Sequence, residues 1–159
     1  MTTIRLKTEI NAPIECVFDF SRNIDFHMQS ASETKEKAIA GRTSGLISQG
    51  ETVTWRGRHF GVFLEHTSKI VNYERPFHFT DVMIKGHFTY FGHQHFFVVE
   101  NQKTIMTDIL KYRTPYGIFG YIFDVLFLKR HLIRFLERRN LAIKNMTESC
   151  PKEVRQNKQ

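Results

Sequence analysis

Trp55, His59, His66, Asp81, His93, His95, Asp108 and Tyr112 fall in the same alternating register as Phe79, Met83, Phe97 and Met106. Successive side chains of a strand face opposite sides of a sheet, so the register that holds large apolar residues is the inward one. Ionisable groups on that face suggest a lined pocket. Asp108 is the most telling of them, because an unpaired buried carboxylate is costly and demands a partner. His93 or His95, on the adjacent strand-like run, can supply one. Three chemistries fit this set. The polar groups can orient a carbonyl, hydroxyl or carboxylate on a largely hydrophobic ligand. The same Asp and His can act as general base and acid on an activated carbonyl compound. His93-x-His95 also puts two imidazoles on one strand face, where Asp81 or Asp108 can complete a two-His, one-carboxylate metal set. A hydrogen-bonded His–Asp pair accounts for the same residues without an ion.

Long charged side chains point to water, which fixes the inward residues run by run. With Lys111 and Arg113 outside, Met106, Asp108, Leu110 and Tyr112 lie inside. Arg56 and Arg58 place Val53, Trp55, Gly57 and His59 inward, and Glu65 and Lys69 do the same for Leu64, His66 and Ile70. Asp81 joins Phe79 and Met83. In residues 87–100, His93, His95 and Phe97 oppose Tyr90, Phe96 and Val98, and a bulge at Gly92 would shift that register. Phe119 and Phe123 reach the same space from the helical run that follows. Trp55, Phe79, Met83, Phe97, Met106, Phe119 and Phe123 are also consistent with plain core packing. No nucleophile elbow, phosphate-binding loop or dinucleotide fingerprint occurs.

The 159 residues are the usual size of one domain, and 15 Phe call for a large aromatic interior. Of the formal +7 charge, residues 1–128 carry 14 basic and 13 acidic side chains and residues 129–159 carry 9 and 3. The excess therefore belongs to the C-terminal segment. Lys129, Arg130, Arg134, Arg138, Arg139 and Lys144 recur at helical spacing among Leu132, Phe135, Leu136 and Leu141, as on the solvated side of an amphipathic helix. They lack the interleaved exposed aromatics and the motifs of a nucleic-acid binder. Cys16 and Cys150 form no C-x-x-C pair, and no secretory signal precedes the first strand-like run, so a reduced, cytoplasmic protein is expected.

The elements that must position these residues follow from periodicity. Residues 3–10 alternate as a half-buried strand, and Pro13 suits the start of a short helix over 14–20. A second short helix is predicted over 21–30, a mostly polar strand over 33–39 and a Gly/Ser/Thr-rich loop over 41–50. Runs at 51–60, 61–73, 77–85, 87–100 and 104–113 describe an antiparallel meander. From Tyr116 to about Glu148, Phe119, Ile122, Phe123, Leu126, Leu132, Phe135, Leu136 and Ile143 recur at helical spacing, predicting one long helix. Its apolar stretch at 118–128 is too short to cross a bilayer. The domain is expected to span 1–148, with a polar, disordered tail at 149–159. Gly117 and Gly120, with the loop around Thr43 to Ile47, are the expected flexible mouth of a cavity.

That order, together with GETVTWRGRHFG at 50–61, HTSKI at 66–70, FGHQHFF at 91–97 and TIMTDILKYRTPYGIFG at 104–120, resembles the START-like superfamily, often called SRPBCC. The group includes polyketide cyclases, the birch-pollen-allergen type and lipid-transfer domains. Within it the likeness is to small bacterial proteins labelled cell-division-inhibitor-like. The resemblance implies an α+β helix-grip fold: a curved antiparallel sheet of about six or seven strands wrapped round a long C-terminal helix, with a hydrophobic cavity between them. It implies no metal and no cofactor. The expected partner is a small hydrophobic molecule (lipid, polyketide-like or aromatic), bound for transport or sensing by a monomer or homodimer, without nucleic acid or stable membrane insertion. The alternatives are a cyclase- or dehydratase-type enzyme and a protein-interaction module linked to cell division. The expected ligand-binding residues are Trp55, His59, Phe79, Asp81, Met83, His93, His95, Phe97, Met106, Asp108, Tyr112, Phe119 and Phe123.

Overall fold

A computed structural model describes residues 1–149. Strand β1 (Thr2–Ile10) leads into α1 (Ile14–Ser21) and α2 (Ile24–Ser30). Six strands follow: β2 (Lys37–Gly41), β3 (Thr52–His59), β4 (Val62–Glu74), β5 (His78–Lys85), β6 (Tyr90–Glu100) and β7 (Lys103–Arg113). Helix α3 (Gly117–Phe123), a π-helical turn (Asp124–Leu128) and α4 (Lys129–Ser149) complete the described residues. All seven strands form one antiparallel sheet in the order β1-β7-β6-β5-β4-β3-β2, so the first strand closes the meander against the last. Register shifts between β2 and β3 and at two points between β4 and β5 add the local bends a curved sheet requires. Helix α4 packs against β1, α1 and α2. The architecture is the helix-grip fold.

Local chemistry accounts for the places where the elements depart from their expected bounds. Asn23 accepts the Phe26 amide hydrogen at 3.0 Å and caps α2, so the second helix starts at Ile24 rather than at Ser21. A 3-10 turn occupies Ser32–Thr34 and ends on Lys35 at φ +50°, and extension resumes only at Lys37, later than expected. Gly92 pairs in unbroken register with Val82 and Lys111, without the bulge considered for it. His93, His95 and Phe97 are buried, and Tyr90, Phe96 and Val98 on the strand's other face are exposed.

The helix after β7 runs unbroken from Gly117 to Ser149, as its spacing predicts, but it is not α-helical throughout. Its π-helical turn begins at Asp124, a buried carboxylate that accepts from the Tyr112 hydroxyl at 2.5 Å and from the Thr2 hydroxyl. Pinning this side chain inward turns the neighbouring apolar residues outward. Phe119, Ile122, Phe123 and Leu126, expected to be core, are exposed, with Phe119 at 78%. Arg139, expected on the solvated face of the helix, is instead buried.

Two apolar clusters share the interior. One gathers Ile10, Val17, Phe18, Phe79, Phe97, Met106 and Ile143, with Phe18 edge-on to Tyr73, Phe79 and Phe97 at 5.3–5.5 Å between centroids. The other gathers Ile4, Leu110, Tyr112, Leu128, Leu132 and Leu136. Ser149, expected to begin the polar tail, is instead the last residue of α4, and the rest of that expected tail, residues 150–159, lies outside the described residues.

Candidate functional site

A cavity of about 600 Å³ lies between the concave face of the sheet and α4, and members of both apolar clusters line it. Ile47, Val53, Leu64, Ile70, Leu110, Leu132 and Leu136 make much of its wall aliphatic. Trp55, Phe79, Phe88, Phe91 and Phe135 add rings. At one end Phe60, Val62, Tyr116, Phe119 and Phe123 line the cavity while remaining exposed, which makes this end its mouth. Phe60 and Phe123 meet edge-on at 5.2 Å and bridge the β3–β4 hairpin to α3 across it. Of the loop at 43–47, only Ile47 lines the cavity, and it does so from within the core.

Two polar clusters interrupt the apolar wall. The first stands on β5, β6 and β7, whose register sets Asp81 opposite His93 and His95 opposite Asp108. Asp108 is fully buried. His93 Nε2 donates to its Oδ1 at 2.9 Å, and Asn140 Nδ2 on α4 donates to its Oδ2 at 2.7 Å. His95 Nδ1 is 2.8 Å from the same Oδ1 but makes no hydrogen bond with aligned geometry. The far side of the His95 ring presents Nε2 to Asp81 Oδ1 at 3.4 Å, and Phe79 stacks on the ring at 4.2 Å. Arg139 holds its Nη1 3.8 Å from Asp108 Oδ1 and donates from Nη2 to the Ser21 carbonyl at 2.6 Å.

Burial alone would raise the Asp108 carboxyl, but the contacts from His93 and His95 outweigh it and hold the group well below the usual carboxylate range. Asp81 follows the same pattern, with burial opposed chiefly by His95. For His93, burial and the neighbouring His95 push the imidazole down, so it stays neutral more readily than a free histidine.

The second cluster faces the cavity from α2, β3, α4 and the residue just before β2. Glu36 Oε2 lies 2.6 Å from His27 Nε2, and its Oε1 is 3.5 Å from His59 Nε2. His59 Nδ1 in turn lies 3.1 Å from His131 Nε2. Gly57 makes the room: a Cβ there would sit 2.7 Å from Glu36 Cγ. Burial raises the Glu36 carboxyl, and the bonds from His27 and His59 reverse that and leave it far below its ordinary value.

Of the residues singled out from sequence, Trp55, His59, Phe79, Asp81, Met83, His93, His95, Phe119 and Phe123 line the cavity. Phe97, Met106, Asp108 and Tyr112 stand behind that lining. Phe97 and Met106 belong to the apolar core, Asp108 anchors the two histidines, and Tyr112 binds Asp124. Sequence reasoning missed Glu36, His27, His131, Arg139 and Asn140 as members of the site. No local signal marked them: Glu36 sits in a run that reads as a polar strand, and Arg139 among residues that read as a solvated helix face.

The sequence matches no protein-family model and no curated protein. Solved structures do match. A protein from Thermus thermophilus superposes with a TM-score of 0.71 at 16% identity, covering 92% of this chain and 99% of that one. A START superfamily protein from Mycobacterium smegmatis gives 0.69 at 15% identity, covering 92% and 97%. A major latex-like protein from Panax ginseng gives 0.66 at 14%, also covering 92% and 97%. At these identities the likeness is one of fold: the chain has the helix-grip fold of the START superfamily, as its motifs suggest. None of these three is described as a cell-division protein.

Proposed function

We propose that the protein binds one small hydrophobic molecule (a lipid, polyketide-like or aromatic compound) in the cavity between sheet and α4, and serves in its transport or sensing. The observation that carries this reading is the cavity of about 600 Å³, whose wall is mainly apolar and carries two polar clusters. That size falls within the roughly 300–1,000 Å³ of small-molecule sites, which combine apolar walls with a few placed polar groups. Trp55, Phe79, Met83, Phe119 and Phe123 supply apolar contact, and His59, Asp81, His93 and His95 orient the polar end of the ligand. Asp108, Tyr112, Phe97 and Met106 hold that wall in shape. The setting is cytoplasmic and the protein acts as a monomer or homodimer.

Mass spectrometry of protein denatured directly after purification is expected to reveal a co-purified hydrophobic compound. Emptied protein is expected to take up 8-anilinonaphthalene-1-sulfonate with a rise in fluorescence, and Leu64→Trp, which fills the cavity, is expected to reduce that uptake. Protein that is consistently empty and blind to the probe sinks the reading.

A second reading rests on His95, whose ring spans the buried Asp108 and the cavity-facing Asp81. A base oriented by one carboxylate and facing another can move a proton on a bound carbonyl compound. In that case Asp81→Asn and His95→Ala spare affinity for the co-purified compound while its conversion stops. If both variants only weaken affinity, binding is the whole activity.

A further inference from the structure

The Asp81, His93 and His95 side chains converge more closely than orienting a ligand requires. One donor atom from each lies within 4.8 Å of the other two. Asp81 Oδ1 and His95 Nε2 are 3.4 Å apart. Two ligands about 2.1 Å from a tetrahedral centre stand about 3.4 Å from each other, so this pair already has the spacing that a first-row divalent ion imposes. Asp81 pairs with His93 across the β5–β6 ladder, and His95 follows two residues along the same face of β6. Three donors from two adjacent strands thus form a triangle on one wall of the cavity.

What stands behind the triangle argues the same way. An imidazole that binds a metal through one nitrogen characteristically turns the other to a carboxylate, which fixes the tautomer and the ring plane. Asp108 occupies that position for His93 by a hydrogen bond and lies in contact with His95. His93 Nε2 bonds its Oδ1, and His95 Nδ1 lies 2.8 Å from the same oxygen, with the His95 Nε2 turned toward Asp81. Asn140 in turn holds the other Asp108 oxygen from α4.

Charge is the third observation. Asp81 and Asp108 bring two negative charges to this wall, and Arg139 brings one positive charge. The carboxylates outnumber the guanidinium, which favours a cation over an anion at this wall.

We propose that Asp81, His93 and His95 form a binding site for a divalent transition-metal ion of the zinc or iron(II) kind, with Asp108 as the positioning residue behind both histidines. Two imidazoles and one carboxylate suit such ions better than magnesium or calcium, which favour all-oxygen sets. Closing the wider donor separations is the work of side-chain torsions. The remaining coordination positions face the cavity, open to water or to an oxygen of a bound molecule. The site needs only these residues and stands whether or not a hydrophobic ligand is present.

The test uses tag-free, chelator-stripped protein titrated with Co2+ alone. One ion per chain is expected, with visible d–d absorption that Zn2+ displaces. Asp81→Asn and His95→Ala are expected to abolish the absorption. Asp108→Asn is expected to weaken binding by about 10- to 100-fold, as loss of an orienting partner does. His78→Ala, whose histidine does not line the cavity, is expected to leave binding unchanged. Far-UV circular dichroism identifies variants that have lost the fold, and Asp81→Asn, isosteric and on the cavity surface, is the variant that decides. No saturable absorption overturns the proposal, as does absorption that survives in folded Asp81→Asn. Uptake of 8-anilinonaphthalene-1-sulfonate by the same samples separates the two readings. Probe uptake without Co2+ binding defeats the metal site alone, and Co2+ binding without probe uptake defeats the hydrophobic-ligand reading alone.

Discussion

At the scale of residues, the polar groups on the cavity wall set how the protein responds to acid. Burial pushes the imidazoles of His93, His66 and His131 below the ordinary 6.5. The unfolded chain therefore takes up protons near pH 6.5 that the folded chain refuses, and stability present above that pH is lost as the pH falls below it. The carboxyls of Asp81, Asp108 and Glu36 are held below their ordinary 3.8 and 4.5, so their contribution is intact above about pH 4.5 and disappears below it. Both changes have the same sign. The urea midpoint is expected to be flat above about pH 6.5, to fall below it and to fall more steeply below about pH 4.5. His66→Gln, which removes one of the refused protons, is expected to flatten the first limb; an unchanged limb would show that His66 titrates normally in the folded state.

At the scale of elements, the junction between β7 and α3 decides the shape of the cavity mouth. Gly120 lies so close to the preceding strand end that a Cβ there would sit 1.8 Å from the Pro115 carbonyl oxygen. The approach is to backbone, which cannot swing away. Gly120→Ala is expected to destabilise by about 1–3 kcal/mol through overpacking, measured as a shift in urea midpoint. Gly117 has open space around it but a φ of +54°, so Gly117→Ala is expected to cost roughly 1–2 kcal/mol for a backbone reason alone. Equal, negligible effects at both positions would mean that the junction relaxes freely. Helical spacing predicted that Phe119 and Phe123 lie on a helix, but not that they would stand exposed at the cavity mouth. The π-helical turn and the tether from Asp124 to Tyr112 and Thr2 rotate this part of the helix away from the core.

At the scale of the whole molecule, a cavity divides the interior and protection from exchange should follow that division. The strand centres around Phe97, Met106 and Leu110 are enclosed, whereas the hairpin at Phe60 and the segment 114–123 border the mouth. Amide hydrogen exchange is expected to be slow in β6, β7 and β1 and at least tenfold faster, on the order of 1.4 kcal/mol less protected, in the two mouth segments. Equal protection throughout would remove the picture of a mobile mouth. The sequence by itself determined the α+β order and the inward placement of Asp81, His93, His95 and Asp108, because side-chain alternation is a local property of a strand. It also marked the His–Asp partnership, because a buried carboxylate cannot stand alone. Only the tertiary structure decided what comes to meet these residues. Asn140 and Arg139 reach Asp108 from a helix remote in the chain, and His27, Glu36, His59 and His131 meet from four separate segments. Periodicity reports which face a residue occupies but not which distant segment packs against that face, and the site lies where such segments converge.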